Sequence, residues 1–186
     1  MLALLLVSSS SGASERVRTL AWSDLQPAGE AEHNAKVSAT LTAGLYEAIR
    51  HRRVREYEAQ AAALRKTLKS GTDATLDGQR VRLPGYVVPL DFDDSGNVKE
   101  LLLVPFYGAC LHVPAPPSNQ VVHVLLQRPR EIGALEVPVW IEGTMAVKLS
   151  ASSMAMSSYQ LTATSIKRYS GTVVPYEGPR PHSDGR

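Results

Sequence analysis

The second half of the chain limits the fold most. Five apolar stretches follow one another: TLDGQRVRLPGYVVPLDF (75–92), VKELLLVPF (98–106), QVVHVLLQR (120–128), ALEVPVWIEGTMAVKL (134–149) and YQLTATSIKRY (159–169). They are rich in Val, Leu, Ile and Thr and are parted by turn signals such as Asp77-Gly78 and DDSG at 93–96. That pattern marks strands. Pro84, Gly85, Pro89, Pro105, Pro138 and Gly143 interrupt them. A long strand with proline or glycine inside it bends or bulges rather than lying flat. The expected fold is therefore mainly β with an N-terminal helix: a small, curved antiparallel barrel, OB-like in architecture. The link between the third and fourth strands is too short for the helix an OB-fold often carries there, so the N-terminal helix is expected to cover one barrel end.

That helix is read over residues 36–69. Leu41, Leu45 and Ile49, then Val54, Tyr57, Ala61, Leu64 and Leu68, step by threes and fours along one face. Lys69-Ser70-Gly71 is a stop signal. The basic run RHRRVRE (50–56) is interspersed with glutamates and reads as this helix's solvated face, with a patch for an acidic partner as the alternative. Upstream, Trp22, Leu25 and Pro27 suggest a short docking segment. The start, MLALLLVSSSSGAS, has the apolar run and small-residue cleavage zone of an export signal, and is too short to span a bilayer. No cysteine stands near that zone, so no lipid anchor is expected there. The expected division is a signal-like segment (1–14), a helical arm (15–71), the barrel (72–170) and a disordered tail (171–186).

Apolar residues make up 44% of the chain and the formal net charge is +2, which suits a packed core and gives no basic stripe for nucleic acid. Tyr86, Phe92, Phe106, Tyr107 and Tyr159 lie in the β region without a basic groove beside them, so stacking on single-stranded nucleic acid is not expected. No segment reads as transmembrane.

The chemistry-bearing residues fall in FYGACLHVPAPPSNQVVHV (106–124), which holds the single cysteine. Cys110 and His112 alternate along an extended segment and so share a side. A hairpin through the prolines could bring His123 back opposite them. Cysteine and histidine suit borderline metals, zinc first and copper second. Three ligands would leave a fourth position for water, a nearby carboxylate or a partner's group. Asn119 and Gln120 would fix the loop or orient a ligand. The plain alternative is a buried thiol and two hydrogen-bonded histidines. Thiol catalysis by Cys110 ranks third. Asp91, Asp93, Asp94 and Asn97 read as a hairpin turn rather than a calcium site. Trp140 reads as core, and Met145, Met154 and Met156 as gap-fillers.

Taken together, the barrel sequence resembles the bacterial domain-of-unknown-function family 3299. The resemblance rests on Arg82, Pro84, Gly85, Tyr86, Pro89 and Leu90, then Val104 and Pro105, Cys110 and His112, Pro114, Pro116 and Pro117, and finally Asn119, Gln120 and His123. It covers about residues 72–170. It implies an exported, often lipid-anchored bacterial envelope protein that partners an ABC-type export or lipoprotein-sorting-like transporter; the reading adopted for this chain is a periplasmic, non-enzymatic one. Some members are linked to zinc limitation, which implies Cys110, His112 and His123 as metal ligands. An interaction module docking partners through its proline-rich loop is the alternative.

Overall fold

In the computed structural model, which describes residues 16–109 and 116–174, the apolar stretches form strands β2 (Arg80–Phe92), β3 (Val98–Val104), β4 (Val122–Arg130), β5 (Val139–Ala151) and β6 (Met156–Arg168), preceded by a two-residue strand β1 (Arg18–Thr19). Their order is β1-β2-β3-β4-β6-β5, and β5 pairs back onto β2. β2 to β6 thus close a five-stranded barrel. The expected all-antiparallel arrangement needs one correction. Four seams are antiparallel, but β4 and β6 run parallel, Val124 opposite Leu161. Strand number requires this, because directions cannot alternate around a closed ring with an odd number of members.

Bends occur where the sequence placed them. β2 pairs with β5 as far as Gly85 and with β3 from Tyr86 onward. Register shifts follow at Pro89/Asp91 and at Glu142/Gly143. Gly143 lies so close to β6 that a Cβ there would stand 2.2 Å from the Thr162 carbonyl oxygen. The β2–β3 turn is a closed local unit. Asp93 accepts hydrogen bonds from the Ser95 and Asn97 amides at 2.9 and 2.8 Å, and Asp91 pairs with Lys99 at 2.8 Å. These bonds hold both carboxyls below their usual range.

Inward-facing Val81, Leu83, Leu101, Leu103, Val122, Val124, Ile141, Met145 and Leu161 fill the barrel. The docking segment also enters this core: Leu20, Trp22 and Leu25 are buried in it, and the Trp22 indole donates to the Pro84 carbonyl at 2.8 Å. β3 is buried on both faces. Leu102 and Val104 face outward, where Val88, Ala109 and Val121 join them in a second apolar cluster. Trp140 is not core: it lies half-buried on the outside, between the Arg82 guanidinium 5.0 Å from its ring and the edge of Tyr169.

The helical region departs most from expectation. Instead of one helix over 36–69 there are two, α1 (Glu30–Arg50) and α2 (Val54–Arg65). They are joined by a three-residue turn in which Arg52 is left-handed, φ 56°. The Tyr57 ring lies over Gly44 and its hydroxyl donates to the Leu41 carbonyl, tying the hairpin together. Neither helix supplies a residue to the barrel core, so the docking segment, not the helix, fills the barrel end. Asn34 anchors the hairpin's base, exchanging hydrogen bonds with Lys69 at 2.9 Å in both directions. Val173 is buried in the core, so the tail is ordered at least to that point; residues 175–186 and the signal-like segment 1–14 lie outside the described residues. Among the described residues, no helix is long and apolar enough to cross a membrane.

Candidate functional site

Alternation along β4 sends Val122 and Val124 inward and His123 outward. His123 sits opposite Leu102 of β3 on one side and Gln160 of β6 on the other. Glu100, two residues before Leu102, shares the outward face of β3. Its Oε2 lies 2.9 Å from His123 Nε2, while the Gln160 amide nitrogen stands 3.5 Å from Nδ1. The imidazole is only 14% exposed and the carboxylate 42%. The ring is thus held in one plane by the carboxylate, with solvent reaching the pair from the glutamate side.

The two hydrogen-bonding atoms are about as far apart as two ligands of one ion. Tetrahedral zinc with bonds of about 2.0–2.1 Å separates neighbouring N and O ligands by about 3.3 Å. A shift of a few tenths of an ångström would let Nε2 and Oε2 share an ion. Alternatively, Glu100 could hold the ring while Nδ1 binds, the usual carboxylate–histidine–metal relation. Either geometry fits a metal ligand, but two groups do not make a site. No cluster of three or more His, Cys, Asp or Glu side chains exists among the described residues.

Cys110 and His112 lie in residues 110–115, outside the described residues. The flanks of that segment are described. On one side Ala109 is buried in the outer cluster with Leu102 and Val121. On the other, Pro116 and Pro117 lead into a short 3-10 turn, Ser118–Gln120. Ala109 on the one side and Val121, just past that turn, on the other therefore lie in the outer cluster beside Leu102, the residue opposite His123.

Asn119 and Gln120 are fully buried and act on the loop's base, not beside His123. The Asn119 amide donates to the Gly71 carbonyl at 2.8 Å, and that of Gln120 to the Trp22 carbonyl at 3.0 Å. They fix the end of the proline loop to the docking segment and to the exit of α2. Their side-chain carbonyls accept no hydrogen bond among the described residues. Glu100 escaped the sequence analysis as a named residue. The signal was present, because Glu100 is the polar member of the outward set Glu100, Leu102, Val104 in a strand antiparallel to that of His123. Met145 is fully buried in the core and Met154 packs on the outer cluster, as gap-fillers do.

Residues 22–168 match the family described as Protein of unknown function (DUF3299). The chain belongs to the DUF3299 family. The match begins at Trp22, so it takes in the docking segment and both helices as well as the barrel, and is wider than the motif in the β region suggested. Among solved structures, a DUF3299 family protein (PA4066) from Pseudomonas aeruginosa PAO1 is 32% identical. The alignment covers 84% of this chain and 98% of that one, with a TM-score of 0.61. Comparison with curated proteins gave no match.

Proposed function

We propose that this DUF3299 chain is a non-enzymatic transition-metal protein of the bacterial envelope. It would bind one zinc ion, or copper as the second choice, and pass it to or from a periplasm-facing ABC-type transporter. The observation that carries this reading is the His123–Glu100 pair. An imidazole held at 2.9 Å by a carboxylate stands opposite Leu102, whose outer cluster holds Ala109 and Val121 on either side of the segment bearing Cys110 and His112. Cys110, His112 and His123 would be the ligands, with Glu100 either the fourth ligand or the group that orients His123. Such a set suits transfer, since a carboxylate 42% exposed to solvent is easily displaced by an incoming ligand. The compartment and the transporter rest on the family resemblance alone.

Elemental analysis of the purified full chain tests the binding. About one equivalent of zinc is expected, falling to background in Cys110→Ser and in His123→Gln while circular dichroism stays unchanged. A folded wild-type chain that takes up no zinc from a micromolar solution contradicts the proposal. It would favour the second reading, a docking module. For that reading the supporting observation is the firmly tied loop base together with Tyr107, 58% exposed at the loop's other flank.

A further inference from the structure

The basic run does not lie along a helix side; it forms the tip of the helical hairpin. Arg50 ends α1, residues 51–53 make the turn, and Arg55 follows the first residue of α2. Every residue from 49 to 56 is exposed. Arg50 and His51 share Glu47, at 3.2 and 3.4 Å. Arg52, Arg53 and Arg55 make no ion pair among the described residues. Residues 46–56 carry four arginines against Glu47 and Glu56, a net charge of +2 that equals the formal charge of the whole chain.

The tip is also apolar. Tyr46 is 70% exposed, Ile49 56% and Val54 40%. Tyr46 and Ile49 are three residues apart on α1 and so share a face; Val54 opens α2 just across the turn. A solvated helix face has no use for three exposed apolar side chains among arginines. A single exposed side chain of this kind would need no explanation, but a group of them beside unpaired cations does. α1 is 21 residues long, about 30 Å, and only Ala31, Asn34, Val37 and Ala48 along it are buried. The hairpin is therefore tied to the barrel at its base and presents its tip at a distance.

We infer that the tip of the α1–α2 hairpin, through Arg52, Arg53 and Arg55 with Tyr46, Ile49 and Val54, docks on an anionic phospholipid surface. Arginine meets the headgroup phosphates, while the apolar and aromatic side chains enter the headgroup–acyl boundary, the division of labour of interfacial helices. An acidic protein would also attract the arginines, but a purely electrostatic partner leaves Tyr46 and Ile49 unexplained. This inference is independent of the metal reading.

Co-sedimentation with vesicles tests it. The full chain is mixed at low salt with vesicles of phosphatidylcholine alone or with 30% phosphatidylglycerol. Binding to the anionic vesicles is expected, and little to the neutral ones. Each basic side chain near such a surface strengthens binding about fivefold, so Arg52→Gln, Arg53→Gln and Arg55→Gln together should weaken it about a hundredfold. Tyr46→Ser with Ile49→Ser should weaken binding at high salt, where screening has removed the charge contribution. All these side chains are exposed, so the variants should keep the wild-type circular dichroism. Absence of wild-type binding to anionic vesicles, or equal binding by the triple variant, overturns the inference. So does binding to soluble poly-glutamate that the serine pair leaves untouched, which assigns the tip to an acidic protein.

Discussion

At the scale of single residues, polar groups decide how the parts of the chain are joined. Tyr159 shows this most clearly. Its hydroxyl donates to the Leu25 carbonyl and accepts from the Asp73 amide, both at 2.7 Å, so one buried side chain of β6 holds both the docking segment and the entry to the barrel. Burial pushes its pKa up to about 12. The folded state therefore favours the neutral phenol. That stabilisation is complete below the ordinary tyrosine value near 10 and disappears as pH rises from about 10 to 12. Alkaline unfolding of the wild type should show this loss of stability, and Tyr159→Phe should lack that part of the pH dependence. At neutral pH, Tyr159→Phe should cost about 1–3 kcal/mol by urea titration, because a buried carbonyl and amide lose their partner. A midpoint equal to wild type would show that the hydroxyl joins nothing. His123 is legible in the sequence as a strand residue just past the proline loop, though not which face of the barrel it takes. Glu100 is less so: alternation puts it on the outward face of its strand, but the register that brings its carboxylate to His123 is a matter of strand pairing.

At the scale of elements, local pattern gives type and place but not always continuity. The five strands were expected near where they lie, because their punctuation by proline and glycine is chemical. Gly143 is the sharpest case. Gly143→Ala puts a methyl group into the Thr162 carbonyl at 2.2 Å, where only backbone movement could relieve it. A loss of at least the 1–3 kcal/mol typical of overpacking is expected in thermal or urea unfolding. Wild-type stability in this variant would show that β5 and β6 are not packed so closely. The helix break was also readable. Ile49 to Val54 is a step of five residues, which no continuous helical face allows, and the turn falls between them. The threes and fours on either side concealed it. That one seam is parallel needed no side-chain signal, since five strands closing a ring require it by count; that it is β4–β6 follows from the strand order.

At the scale of the whole molecule, the barrel and the helical hairpin differ in how much they bury. The barrel and the docking segment make up both apolar clusters, while the helical hairpin buries few side chains; Asn34 ties its base to Gln26 and Lys69, and Asn119 ties the segment after α2 to the proline loop. Regions with few buried contacts open at lower free energy than the core. Native-state hydrogen exchange should therefore find residues 38–65 exchanging by local opening, well ahead of β5 and β6. Equal protection across both would mean that the hairpin folds as part of the barrel. Such independence suits a molecule with one end on a surface and a barrel face free to exchange its ligand.

In the proposed site, one metal ion joins His123 to the segment carrying the single thiol. Zinc-edge X-ray absorption on the loaded full chain addresses it directly. The expected result is a single sulfur at about 2.3 Å with nitrogen or oxygen neighbours at about 2.0–2.1 Å, and loss of the sulfur shell in Cys110→Ser. A first shell of nitrogen and oxygen alone in the wild type, unchanged by that substitution, would contradict it.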